Sequence, residues 1–177
     1  MAKKPKRKKT VNVRVLLRRL HKKADSALSK YARAIAIAEF KGLCPFCSRD
    51  PLLPVPSKDG KKMRKNGWVC FHFVRRRRKS VRWSLLNVVG ACAFCNRIEV
   101  GNPDPYRAWY IRRHGVEQYL SIVDESAKVF EPTVEYLQGI VDRFTSELES
   151  IKRFAEPAPE APEAEADPNA PEKISEA

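Results

Sequence analysis

Cys44-Pro-Phe-Cys47 and Cys92-Ala-Phe-Cys95-Asn96, with Trp68-Val69-Cys70-Phe71-His72-Phe73 between them, decide how this 177-residue chain is read. Two cysteines separated by two residues can turn both sulfurs toward one ion, and two such pairs supply the four thiolates of a tetrahedral zinc site. Disulfides are the alternative. The N-terminus MAKKPKRKKT, however, lacks the apolar segment that directs a chain to an oxidising compartment. A redox Cys-x-x-Cys would account for one pair and leave the other without a role. The reading taken is structural Zn2+ on Cys44, Cys47, Cys92 and Cys95. Cys70, inside the apolar run, reads as a small buried hydrophobe.

Outward from the cysteines the chain divides into recognisable parts. Residues 44–68 are rich in Pro, Lys and Gly and read as loop, whereas 68–73 and the apolar run Leu85 to Ala93 read as strands, the second interrupted by Asn87 and Gly90. Upstream, Val13, Leu16, Leu17, Leu20, Ala24, Ala27, Leu28, Tyr31, Ile35 and Ala38 recur at three- and four-residue steps, one face of a helix that Gly42 can end. Its other face carries Arg14, Arg18, Arg19, Lys22, Lys23, Lys30 and Arg33, either a solvated surface or a DNA contact. Downstream, Asp104-Pro105 opens a helix with a capping acid and Gly115 closes it, and Val116 to Phe130 marks another. Pro132 starts a final helix with a seam of Val134, Leu137, Val141, Phe144, Leu148 and Ile151. That seam could pack on the N-terminal helix or on a second copy in a homodimer. The expected organisation is a disordered basic arm (1–12), an N-terminal helix (13–42), a zinc-bound core (43–115), C-terminal helices (116–155) and a disordered acidic Pro/Ala/Glu tail (156–177).

Charge narrows the partner. The formal net charge is +14 with a pI near 9.8, yet residues from Glu156 onward carry −6, which leaves +20 on residues 1–155. A body that basic repels itself unless it meets a polyanion, so nucleic acid is the first partner to consider. No run approaches the roughly 18 apolar residues of a membrane span. No helix pairs bulky aromatics with lysines as a lipid-surface anchor would. A membrane is therefore not an expected partner, and a cytoplasmic location is.

Between and beyond the cysteine pairs stand His72-Phe73, Arg76, Arg82-Trp83, Asn87, Asn96 and Gly101-Asn102. In this order the chain resembles the HNH branch of the His-Me finger nucleases. Through HFVRRRR, VRWSLLN, CAFCN, GN and YRAWYIRRHG it resembles more closely the NinG (Rap) recombination proteins of lambdoid phages. The similarity covers about residues 44–120. It implies an α+β, mainly helical fold: a zinc-clasped ββα-metal (HNH) core flanked by long N- and C-terminal helices. It further implies a metal-dependent DNA endonuclease acting on branched, recombination-intermediate DNA, in the cytoplasm of a bacterial host if the gene is phage-borne. Carried over by position, His72 would be the general base, Asn87 would hold the loop and orient that histidine, and Asn96 would ligate a catalytic Mg2+ or Mn2+. Arg76 would act at the phosphate, with Arg75, Arg77, Arg78, Lys79 and Arg82 binding DNA. An imidazole titrating near about 6.5 suits proton abstraction at neutral pH, and an amide oxygen is a suitable ligand for a hard cation. Phe71 departs from the pattern, because many HNH enzymes carry a second metal ligand directly before the base. The competing readings are a non-catalytic, zinc-stabilised nucleic-acid-binding protein and an HNH nuclease of restriction or packaging type.

Overall fold

The structure is a computed structural model that describes residues 12–57 and 61–155. The arm and the acidic tail lie outside the described residues, apart from Asn12. The fold is mainly helical, with two small two-stranded sheets.

The first helix, α1 (Val13–Glu39), starts at Asn12, whose side-chain oxygen accepts from the Arg14 N–H at 3.1 Å. It stops three residues short of the expected glycine. Phe40 caps it, and the Gly42 N–H, in the left-handed region at φ +79°, closes back onto the Ile37 carbonyl at 2.9 Å. The buried stripe is Leu20, Ala24, Ala27, Leu28, Ala32 and Ala36. Val13 and Ile35, expected on that stripe, are exposed.

Alanine takes the inward positions at the C-terminal end of α1 because a hairpin lies directly against it. Strands β3 (Trp68–His72) and β4 (Val88–Cys92) are antiparallel, pairing Trp68 with Cys92, Cys70 with Gly90, Phe71 with Val89 and His72 with Val88. A Cβ on Gly90 would stand 2.6 Å from the Ala36 Cβ, so this is a position where only glycine allows the approach. The segment read as loop also contains a short pair, β1 (Val55–Pro56) with β2 (Met63–Arg64). Two residues per strand, one a proline, leave no alternation to detect.

The hairpin's second strand runs into the short α2 (Ala93–Ile98), followed by α3 (Asp104–His114), α4 (Val116–Ala127) and α5 (Val134–Ala155). Asp104, read as a cap, is instead the first helical residue and pairs with Arg107, while Pro103 occupies the cap position. Gly115, at φ +88°, ends α3 as expected. Phe130 lies beyond α4, its ring 5.0 Å from that of Tyr136. The α5 seam packs within the chain: Leu137 and Phe144 are fully buried with Leu20, Ala24, Ala27 and Leu28 of α1. Of the two partners considered for that seam, the N-terminal helix takes it.

Candidate metal centre and basic loop

The four paired cysteines converge. Their sulfurs all lie within 4.8 Å of one another, and the Cys47 and Cys92 Sγ atoms are 3.8 Å apart. Four sulfurs at about 2.3 Å from a central zinc sit about 3.8 Å from each other, so the spacing fits a tetrahedral thiolate site. Local backbone builds it. The Ser48 N–H donates to the Cys44 carbonyl at 2.8 Å and Ser48 adopts φ +53°, folding the first pair into a tight turn. In the second pair Cys92 caps α2, its sulfur accepting from the Cys95 N–H at 3.3 Å. The Cys92 N–H in turn donates to the Cys44 sulfur at 3.4 Å. Hydrogen bonds from the Cys92 and Cys95 thiols pull the Cys44 thiol far down, and the same contact with Cys44 pushes Cys92 up to about 11. Sulfurs this close hold one another's protons, and a divalent cation at their centre relieves the competition. The four cysteines could therefore hold a metal such as zinc. Cys70 is apart from them, in a site where burial raises its thiol to about 12.

Phe46, the residue inside the first pair, ties this centre to the rest. Its ring lies 4.8 Å from Phe71, 4.8 Å from Tyr106 and 5.1 Å from Trp109, most of these contacts edge-to-face. Phe71, where a second ligand was considered, is 1% exposed among these rings.

The other singled-out residues gather around the loop that joins β3 to β4. Asn87 has no exposed surface and uses its whole amide: Oδ1 accepts from the Val74 N–H at 2.7 Å, and Nδ2 donates to the Val74 and Val81 carbonyls at 3.0 Å each. Both ends of the 74–81 segment are thus pinned to the hairpin. His72 ends β3, and the nearby backbone of Cys70 and Arg82 favours the charged ring. Burial and the neighbouring Arg76 outweigh this and lower the imidazole to about 4, so it is neutral at pH 7. Arg75, Arg76, Arg77 and Arg78 are exposed on the loop, and none of their guanidinium groups forms an ion pair among the described residues.

Two of the expected DNA contacts have partners inside the chain. Arg82 donates Nε and Nη2 to the two carboxylate oxygens of Asp25 at 2.9 and 2.5 Å, and Lys79 pairs with Glu131 at 2.6 Å. Asp25 also accepts from the Trp83 indole at 3.0 Å. Cross-strand pairing puts His72 on the hairpin face that carries Cys70, Gly90 and Val88, and α1 covers that face. The helix bearing Asn96 packs through Cys95 with Phe71 and Ala91, on the opposite face. A cavity of about 90 Å³ on that side is lined by Phe71, Phe73 and Glu99 among others, and not by His72. The structure thus gathers His72, Asn87 and the arginine loop, and sets Asn96 with the cysteines. Asp25 and Phe46 were not singled out from the sequence. A lone acid on a basic helix gives no signal of its partner, whereas the aromatic residue inside each cysteine pair could have drawn notice.

No family model matches the chain, and no curated protein or solved structure is found similar to it.

Proposed function

We propose that the chain is a DNA-directed phosphodiesterase of the HNH endonuclease type, acting on the branched DNA that the sequence resemblance implies. The observation that carries the reading is Asn87. A fully buried amide that makes three hydrogen bonds to two ends of one loop holds the backbone of the segment that follows His72 and carries the exposed arginines. That arrangement suits a phosphate held by guanidinium groups while a neutral ring accepts a proton from water. A divalent ion such as Mg2+ or Mn2+, when bound, would neutralise charge on the scissile phosphate, and Asn96 is the residue proposed to hold it. A groove of about 670 Å³ between α1 and α5, edged by Lys23, Lys30, Arg33 and Lys152, adds positive surface of the kind a polyanion meets.

The second reading is a zinc-stabilised nucleic-acid binder without catalysis. It is favoured by Phe71 in the ring cluster and by the placing of His72 on one hairpin face and of α2, the helix bearing Asn96, against the other. Incubating the purified protein with four-way and linear DNA duplexes and Mg2+ or Mn2+ separates the two. Cleavage that His72→Ala abolishes is the expected result. Tight, salt-sensitive binding with no strand scission in any metal would leave the binding module alone.

A further inference from the structure

We propose that a cavity beside the second cysteine pair binds single-stranded DNA, taking a base against Phe94 and the adjoining phosphates on Arg49, Arg64 and Arg97. The choice of DNA rests on the nuclease reading, whereas the mode of binding rests on the site itself. The cavity has a volume of about 800 Å³, within the range of pockets that hold small ligands. Arg49 follows the first cysteine pair, Arg64 belongs to β2 and Arg97 to α2, so three separate segments bring guanidinium groups to one cavity. All three residues are exposed, and none has a carboxylate partner among the described residues. The described residues that line the cavity include no Asp or Glu. Three like charges without an acid among them are a ready site for phosphate oxygens.

The apolar part of the lining selects a single strand. Phe94 stands inside the second cysteine pair, and the Arg49 guanidinium lies over its ring, 5.9 Å from the centroid. Ile98 and Val100, both exposed, extend the apolar lining. A duplex keeps its base faces stacked inside and offers phosphates, for which arginines alone suffice. A ring, a guanidinium plane and exposed aliphatic groups suit the open face of an unpaired base. The ring is held on a firm mount. The Phe94 N–H donates to the Asn66 Oδ1 at 3.1 Å, the Ala93 N–H donates to the Gly67 carbonyl at 2.8 Å, and Cys92 and Cys95 belong to the four-sulfur cluster. The cavity shares no lining residue with the arginine loop or with the groove between α1 and α5. It is a separate contact, and the metal centre serves it by fixing the stacking ring.

The test uses the zinc-loaded full chain without added Mg2+ or Mn2+, so that binding is read apart from cleavage. Fluorescence anisotropy compares a labelled oligothymidylate with a duplex of the same length across a salt series. Phe94→Leu keeps an apolar side chain and removes the aromatic plane. It should weaken oligothymidylate binding about tenfold and leave duplex binding within about twofold. Replacing Arg49, Arg64 and Arg97 together by Gln should lower the salt slope for the single strand by about 2, each guanidinium contributing about 0.7. These three residues are exposed, so this variant decides the matter even where Phe94→Leu loses its zinc. Unchanged oligothymidylate binding in both variants overturns the proposal, as does an equal loss of duplex binding in Phe94→Leu. Polyglutamate that displaces oligothymidylate, and that Phe94→Leu weakens as much, would mark a site for acidic chains and overturn it too. Tighter binding of oligouridylate than of oligothymidylate overturns the choice of DNA. If the wild type cleaves no DNA once Mg2+ or Mn2+ is supplied, the nuclease reading fails, while these affinities still decide whether the cavity takes a single strand.

Discussion

Gly90→Ala would test the packing that places the hairpin against the N-terminal helix. The added Cβ would stand 2.6 Å from the Ala36 Cβ, 2.8 Å from the Ala32 carbonyl oxygen and 3.0 Å from the Arg33 Cα. Carbon atoms pack at about 3.5–4.0 Å, so α1 would have to retreat by about 1 Å or the hairpin would have to bend. Two of the three obstacles are backbone atoms, and the third is a methyl group with no torsion that removes it. Overpacking usually destabilises by about 1–3 kcal/mol, and rigid neighbours place this case near about 3 kcal/mol. Restricting the unfolded chain returns about 0.4–1 kcal/mol, leaving a net loss of about 2 kcal/mol. In a chain of this size that corresponds to a fall in Tm of roughly 4–8 °C. Circular dichroism melts and urea midpoints of the zinc-loaded protein measure it. Adding Ala36→Gly removes the nearest atom and should recover part of the loss, with a coupling of about 0.5–1 kcal/mol in a double-mutant cycle. A Gly90→Ala protein that melts at or above the wild-type temperature refutes the close approach.

Other expectations follow from the metal centre, the clamp and the loop. Cys95→Ser, or a strong chelator, should unfold much of the hairpin and α3, because binding of a structural zinc is part of the folding free energy; an unchanged melt with no bound zinc would count against the site. Asn87→Ala should destabilise by about 2 kcal/mol, since it removes the partner of the part-buried Val74 N–H and carbonyl and leaves the Val81 carbonyl with the Ser84 N–H alone, and a urea titration reads this directly. His72 has its imidazole lowered to about 4 by burial and then by Arg76, so the folded state stays unprotonated where the unfolded chain gains a proton. Stability should therefore fall as pH drops from about 6.5 toward 4, by up to about 3 kcal/mol, and His72→Gln should flatten that part of the profile. Replacing Arg77 and Arg78 by Gln should reduce the slope of log affinity for DNA against log salt by about 2, as each guanidinium neutralises one phosphate.

The periodic parts of this molecule were legible from sequence because period is a local property. The stripe from Leu16 to Leu28, the seam from Val134 to Phe144 and the cysteine spacing each appear in the structure as helices or as a convergent cluster. Gly90, noted only as an interruption of the second strand, admits α1, while Asn87, which the resemblance cast as the residue that holds the loop, bonds both ends of the 74–81 segment. What stayed hidden is long-range. Arg82 and Asp25 are 57 positions apart, and nothing in either neighbourhood announces the pair. Likewise a strand's alternation says that positions 71 and 72 face opposite ways, but only the packed helices tell which face meets α1 and which meets the cysteines.

The helix that opens the described chain is completed by the one that closes it. Leu20 and Leu28 find Leu137 and Phe144 only after residues 134–144 exist. A polypeptide growing from its N-terminus therefore leaves part of the α1 stripe uncovered after the hairpin has been made and until α5 follows, a surface prone to misassociation in the interval. A product truncated before Val134 would keep exposed the part of the stripe that Leu137 and Phe144 cover.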